Sequence, residues 1–286
     1  MAFLSPSLDL AQTLRRRAGS LAGAVLIGLA ALAFAAASDA VQNAFAAAAG
    51  RLPFATLFVT PAGFALLAFL TVRYLPEARG SGIPQVIVAA TLAKPEQSPL
   101  LALRTAVAKL LLTIGGLAVG AATGREGPTV QIGAALMVSV HRSLRVPLSA
   151  AVVIAGGAAG VSAAFNTPLA GIAFALEELA AAYEQRLALL VMASVMIAGL
   201  VSLGIAGDYL YFGSIATSLP LREALLIVPV VAVIGGLAGA GFARALLFIS
   251  VGTAPHLSVI RRHPVLLAAG CGLIVAAVGI ATGGLT

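Results

Sequence analysis

Residues 124–128 read Gly124-Arg125-Glu126-Gly127-Pro128 and separate two apolar segments at about 100–123 and 128–140. The second segment is much shorter than the roughly 20 residues that a helix needs to cross a bilayer. A short apolar segment that begins at a Gly/Pro cluster indicates a helix that stops inside the membrane. The free end of such a helix is tolerated only where it lines a cavity or is buried in protein.

The same kind of break occurs twice more in the chain. A Gly/Pro cluster precedes the segment at about 83–93, and another separates the segments at about 148–164 and 167–182. These two clusters are Gly80-Ser81-Gly82-Ile83-Pro84 and Asn166-Thr167-Pro168. Three breaks of this type predict discontinuous helices.

The composition favours a membrane protein over other classes. Hydrophobic residues make up 60% of the 286 residues and charged residues 9%, whereas a soluble domain has about 25% charged residues. A mean hydropathy of +1.07 cannot be hidden in one aqueous core. Soluble enzymes, disordered chains and disulfide scaffolds are therefore excluded, and long unbroken apolar runs argue against a β-barrel. We expect an all-α polytopic membrane protein.

Helices are predicted wherever an apolar segment occurs. These segments lie at about 21–38, 54–75, 83–93, 100–123, 128–140, 148–164, 167–182, 187–206, 222–250 and 264–281. Arg15, Arg16 and Arg17 precede the first segment and place that end in the cytoplasm by the positive-inside rule.

The charges and the cysteine point to neither nucleic acid nor metal. The net charge is +7, but the 17 Lys and Arg residues are thinly spread and mostly flank apolar runs, which is typical of membrane topology. His141, His256 and His263 have no metal-ligand spacing, so no metal and no cofactor are expected. Cys271 lies in an apolar run and is expected to be a small core residue.

Three acidic residues fall in or beside apolar segments: Glu126, Glu177 and Glu178. A charge at the bilayer centre costs roughly 2.5–3.5 kcal/mol, so such residues usually pair or line a polar path. Glu126 stands at the start of a predicted helix, where free N–H groups and the positive end of the dipole form an anion site. A carboxylate there would occupy the place that a mobile anion would otherwise take.

Two predicted helix starts are alike in having glycines on both sides of a polar residue and a proline just after. Pro128 and Pro84 each suit a first helical turn, where the missing N–H costs nothing. Ser81 supplies a hydroxyl donor without adding charge, and Glu126 supplies a carboxylate. Two glycine-bracketed helix starts of this kind indicate a passage for an anion.

Other interpretations of these residues stay open. Glu126 could pair with Arg125 and lock a turn, Ser81 could be an N-cap, Glu177 and Glu178 could form a solvated cytoplasmic helix end, and Lys109 could snorkel. An intramembrane enzyme would need a nucleophile and base or metal ligands, and the sequence has no HExxH motif. The residues alone predict a membrane transporter or channel with discontinuous helices.

In these motifs, the sequence resembles the CLC family of chloride channels and chloride/proton exchangers. The resemblance covers the chain after about residue 20, and the order and spacing of its motifs are specific. The motifs are Gly80-Ser81-Gly82-Ile83-Pro84, Gly124-Arg125-Glu126-Gly127-Pro128, and the stretch 160–171, which runs on to Glu177-Glu178.

The resemblance implies a fold of two inverted repeats of tilted, partly broken helices, in a homodimer with one pore per subunit. The Ser81 hydroxyl would bind the central anion, and serine at this position goes with chloride preference. Backbone N–H groups of Arg125, Glu126 and Gly127 would face the outer anion site. Glu126 would be the gate, which plugs the outer site as a carboxylate and releases it when protonated.

The resemblance also implies proton coupling. Glu178 matches the family's inner proton-transfer glutamate, Glu177 precedes it as in bacterial exchangers, and Lys109 matches a lysine on the helix leading to the gate. The expected function is proton-coupled chloride antiport in a bacterial inner membrane, with chloride, protons and the lipid bilayer as partners. A passive chloride channel and a non-transporting fragment are the alternatives.

The expected organisation follows the family's repeats. Residues 1–20 would form a cytoplasmic segment, 21–207 the first transmembrane repeat, 208–221 an extramembrane loop, and 222–286 the start of a second repeat. The family's later Gly-x-Phe-x-Pro-like motif and late tyrosine are not found in the sequence. We therefore expect a C-terminally truncated member.

Overall fold

The computed structural model describes residues 6–179, 185–207, 219–251 and 262–283. These residues form α-helices joined by short turns, with no strand in any of the four ranges. The helices are α1 (Pro6–Arg51), α2 (Thr56–Tyr74), α3 (Ile83–Thr91), α4 (Leu103–Ala118), α5 (Glu126–Ser143), α6 (Ala150–Phe165), α7 (Pro168–Phe174), α8 (Gln185–Ala206), α9 (Leu221–Val251) and α10 (Pro264–Thr282). The all-α prediction is confirmed.

The helices fall into long and short classes. Five helices of the described ranges are long and apolar enough to cross a membrane, namely α1, α2, α8, α9 and α10. By contrast, α3 has nine residues and α7 has seven, so at 1.5 Å per residue neither reaches across a bilayer. Both short helices begin at the Gly/Pro clusters that predicted broken helices.

The first helix is longer than the sequence predicted. The apolar segment 21–38 lies inside α1, which has 46 residues. Residues 39–50 are rich in alanine and contain no proline, and alanine is the best helix former. The helix therefore continues almost to Pro53, which begins the next turn.

Of the other sequence expectations, two differ from the structure and others concern residues that the structure does not describe. The helix predicted at 100–123 ends at Ala118, and Gly120 follows with a φ of +88°, which favours glycine. The expectation that Cys271 is a core residue is wrong, because it is exposed. His256 and most of the predicted loop 208–221 lie outside the described residues.

Helix α6 is the centre of the core. Every residue from Ala151 to Ala164 is buried, and α6 packs against α5 on one side and α8 on the other. Two hydroxyls link α6 and α8: Ser162 Oγ donates to the Val195 carbonyl at 2.8 Å and Ser202 Oγ to the Ala163 carbonyl at 3.0 Å. This core holds α3 and α5 side by side.

The other helices differ in how much of their surface packs against the rest of the protein. Helix α1 packs along α5, α6 and α8, and α10 packs on α2. In contrast, no residue of α9 from Leu221 to Phe248 is buried. The site described next is therefore built by the first half of the chain.

Candidate functional site

A cavity of about 570 Å³ lies where α3 and α5 begin, beside α4. Its walls bring together Gly80, Ser81, Lys109, Glu126 and Gly127. These residues are separated by up to 47 positions in sequence (127 − 80). The two helix starts that the sequence predicted as an anion passage thus share one cavity.

The two loops that lead into α3 and α5 touch through backbone atoms. A Cβ added at Gly82 would collide with the carbonyl oxygen of Gly127, and a Cβ at Gly127 would lie 2.7 Å from the carbonyl oxygen of Ser81. Gly82 also has a φ of +122°, where L side chains are strained. The motif glycines therefore permit a backbone contact that no larger residue would allow.

Two long side chains fix the loop before α3. Gln85 Oε1 accepts from the Gly82 N–H at 2.9 Å, and Gln85 Nε2 donates to the Arg79 carbonyl at 2.6 Å. Lys109 Nζ donates to the Gly80 carbonyl at 2.6 Å. These bonds hold the loop in the conformation that positive φ angles at Gly80 and Gly82 give it.

Lys109 is turned toward the protein interior. It is only 3% exposed, and it lines the cavity while its ammonium binds the Gly80 carbonyl. The snorkelling alternative is therefore wrong. A buried ammonium places positive charge in the wall and favours a negative group inside the cavity.

Helix α5 begins at Glu126, with Arg125 as its N-cap and Pro128 in its first turn. Thr129 Oγ1 donates to the Arg125 carbonyl at 2.7 Å. The first N–H groups of a helix have no intrahelical acceptor, and here that end opens at the cavity. The Glu126 carboxylate folds back over Gly124, because a Cβ at Gly124 would overlap its Oε2.

Arg125 connects the start of α5 to α1. Its Nη1 donates to Asp39 Oδ1 at 2.7 Å and to the Ala35 carbonyl at 3.3 Å. The Arg125 side chain is 16% exposed and that of Asp39 is 58% exposed. This pair anchors the backbone that precedes Glu126.

Ser81 lines the cavity and does not cap α3. The N-cap of that helix is Gly82, and the side chain that bonds to the Gly82 backbone is that of Gln85. The alternative that Ser81 serves as the N-cap is therefore wrong.

Glu177 and Glu178 lie apart from this cavity. They stand on a π-helical turn, Ala175–Leu179, that continues α7, and both are exposed. Neither lines the cavity. Their predicted part in proton transfer stays a prediction.

Sequence reasoning missed several residues that lie beside the site without lining the cavity. Asp39 and Gln85 are polar residues without a motif of their own, and Gln131 is fully buried with its Nε2 donating to the Leu100 carbonyl at 2.8 Å. The spacing of Gln85, three residues after Gly82, was a local signal for a helix-start bond. No sequence signal connects Asp39 with Arg125 across 86 positions.

The family model described as voltage-gated chloride channel matches residues 63–285. The chain belongs to this CLC family. It is therefore an integral multi-pass membrane protein, in agreement with its apolar helices.

Curated relatives share more than a third of the aligned residues. An H⁺/Cl⁻ exchange transporter ClcA from Yersinia pseudotuberculosis serotype IB is 39% identical over 174 residues, which is 57% of this chain and 35% of the relative. A ClcA of Salmonella arizonae is 39% identical over 164 residues, 54% of this chain and 34% of the relative. The match thus spans about a third of the length of these relatives.

Solved structures show the same fold. A slow cyanobacterial Cl⁻/H⁺ antiporter superposes with a TM-score of 0.72 at 21% identity, covering 96% of this chain and 64% of that one. A eukaryotic CLC transporter superposes with a TM-score of 0.73 at 21% identity, covering 94% of this chain and 50% of that one. The expected CLC-type fold is confirmed.

Proposed function

We propose that this protein carries chloride across the membrane in exchange for protons. The observation that carries the proposal is the cavity that joins Ser81, Lys109 and Glu126 between two helix starts. The curated relatives are named H⁺/Cl⁻ exchange transporters, which supports exchange of these two ions.

Neutral donors suit the passage of an anion. In the proposal, the Ser81 hydroxyl donates to a central chloride, and the N–H groups of Arg125, Glu126 and Gly127 hold an outer chloride. Helix ends and a hydroxyl replace part of the hydration shell while keeping binding weak enough for release. Lys109 adds a positive charge to the cavity wall, where its ammonium binds the Gly80 carbonyl and does not itself bind the ion.

Glu126 acts as the gate in this proposal. As a carboxylate it competes with chloride for the N–H groups at the start of α5, and once protonated it loses that charge and gives way. Glu126 exchanges protons with the outer solution, and Glu178, with Glu177 beside it, exchanges protons with the inner solution. Because anion and proton then use one position in turn, their movements are coupled.

The assembly and the location are part of the same proposal. We propose a homodimer in a bacterial inner membrane, since the curated relatives are bacterial. In this proposal, residues 1–20 lie on the cytoplasmic side, 21–207 form the first repeat and 222–286 belong to the second repeat, while most of the predicted loop 208–221 lies outside the described residues.

The test measures both ions at once in vesicles that contain the purified protein. A chloride gradient is expected to drive protons uphill, and Glu126→Gln is expected to abolish this proton movement while chloride flux survives. Ser139→Ala, a change on the same helix outside the cavity, serves as the control and should keep both fluxes.

Three results would contradict the proposal. Proton transport that persists in Glu126→Gln would remove this residue from the gate. Chloride flux without uphill proton movement in the wild type would favour the passive channel. Absence of both fluxes in the wild type would favour a non-transporting member of the family.

A further inference from the structure

A second cavity, of about 520 Å³, lies between the N-terminal parts of α1 and α8. None of its lining residues belongs to the chloride site. Arg16 and Arg17 lie on its α1 side, and Leu189 and Ser194 on its α8 side. The cavity therefore joins two cationic groups to an apolar wall, which is a combination that the transport proposal does not use.

Helical spacing explains how this lining arises. Thr13, Arg16, Arg17 and Ser20 follow one another at intervals of three, one and three residues, which places them on one face of α1. Leu21 continues this wall one residue later. The polar face of α1 thus turns into an apolar face along the cavity.

The apolar part of the wall is open to the surroundings. Leu21 is 51% exposed and Leu189 is 76% exposed. Both belong to helices that are apolar enough to span a membrane. The exposed surface of these two leucines offers a hydrocarbon chain room to lie against them.

Ser194 gives an independent indication of a ligand. It lines the cavity, it is 1% exposed, and its Oγ has no hydrogen-bond partner within the described ranges. Buried hydroxyls are nearly always hydrogen-bonded, because an unpaired one loses its hydration without compensation. A ligand with oxygen atoms would supply the missing partner.

The cavity lies at one end of the helices, close to basic residues from two elements. Ser20 Oγ lies 3.3 Å from Nε2 of His141 in the last turn of α5, where Arg142 follows. Arg15, Arg16 and Arg17 mark this end of α1 as cytoplasmic by the positive-inside rule. Basic pockets between helices at the cytoplasmic face are where anionic lipid headgroups bind.

We propose that this cavity binds one anionic phospholipid of the cytoplasmic leaflet. Its phosphodiester binds the guanidinium groups of Arg16 and Arg17, a headgroup oxygen accepts from Ser194 Oγ, and an acyl chain lies along Leu21 and Leu189. A free phosphate would use the arginines but would leave the leucine wall without a partner. This site does not depend on the proposed chloride transport.

The experiment counts lipid adducts by native mass spectrometry of the protein in a neutral detergent. Phosphatidylglycerol is expected to remain bound where phosphatidylcholine with the same acyl chains does not. The double change Arg16→Gln with Arg17→Gln is expected to weaken phosphatidylglycerol binding by about 30-fold, since each basic residue near an anionic lipid contributes about a factor of five.

The matched control is Arg15→Gln, which removes an adjacent charge that does not line the cavity. It is expected to leave phosphatidylglycerol binding within about twofold of the wild type. Ser194→Ala is expected to weaken binding as well, and it tests the hydroxyl without changing the charge. Thermal melting in phosphatidylcholine alone checks that all variants fold equally.

Several outcomes would overturn the proposal. Equal binding of the two lipids, or equal loss in Arg15→Gln and in the double variant, would show a general effect of charge. Displacement of phosphatidylglycerol by an equal concentration of inorganic phosphate would show a simple anion site. Wild-type binding in both the double variant and Ser194→Ala would place the lipid elsewhere.

Discussion

Lys109 carries a buried positive charge into the wall of the candidate chloride site. Its ammonium binds the Gly80 carbonyl, so it both holds the loop and sets the sign of the local potential. Replacing Lys109 would remove a hydrogen bond from the loop and a positive charge from the cavity wall, and these two losses have separate consequences. The two can be measured in the same variant.

Lys109→Met is expected to weaken chloride binding about 20-fold. A unit charge at about 10 Å contributes about 1.7 kcal/mol at an effective dielectric constant of 20, and methionine fills a similar volume without the charge. Isothermal titration of chloride into the purified protein measures the change. Arg104→Gln, an exposed position on the same helix, is the control, and equal affinities in Lys109→Met and wild type would contradict this role.

At the scale of secondary-structure elements, the main feature is the backbone contact between the starts of α3 and α5. Gly82 and Gly127 let two backbones meet, and the bonds from Gln85 and Lys109 hold one of them in place. The Arg125–Asp39 pair holds the other to α1. Three separate elements therefore fix the geometry around Glu126.

Gly127→Ala is expected to lower the free energy of unfolding by about 1–3 kcal/mol, the usual cost of overpacking, because its Cβ would lie 2.7 Å from the Ser81 carbonyl oxygen. Thermal melting in detergent measures this loss. Gly50→Ala in α1 is the matched control, since no atom lies within 4 Å of a Cβ there. Equal melting of both variants and the wild type would refute the close backbone contact.

Element starts could be predicted from sequence, and element partners could not. The prolines at 84 and 128 are local signals, and α3 and α5 begin one and two residues before them. The direction of Lys109 and the pairing of Asp39 with Arg125 depend on contacts between distant segments. The length of α1 was underestimated because an alanine-rich, mildly polar stretch continues a helix without being apolar enough to suggest a span.

At the scale of the whole molecule, the orientation of the chain in the bilayer decides which side of the membrane each cavity faces. The cavity at the starts of α3 and α5 and the cavity beside Arg16 belong to different parts of the fold. The family match establishes the fold and membrane character, while the orientation rests on the arginines near the N-terminus.

Leu14→Cys in a Cys271→Ser background is expected to react with a membrane-impermeant maleimide from the cytoplasmic side alone. Leu14 is 56% exposed, and Cys271 is the single cysteine of the chain, so the background has no other thiol. Labelling of inside-out and right-side-out vesicles distinguishes the two faces. Reaction in right-side-out vesicles alone would reverse the orientation.

The backbone contact at Gly82 and Gly127 restricts how such a pore can open. Parting the two loops would break a junction that Gln85, Lys109 and Asp39 reinforce from three directions. A swing of the Glu126 side chain about its own bonds would leave this junction intact. We therefore expect a gate that is a single rotating side chain set in a rigid frame, with turnover governed by rotamer exchange and ion arrival and no hinge in the main chain.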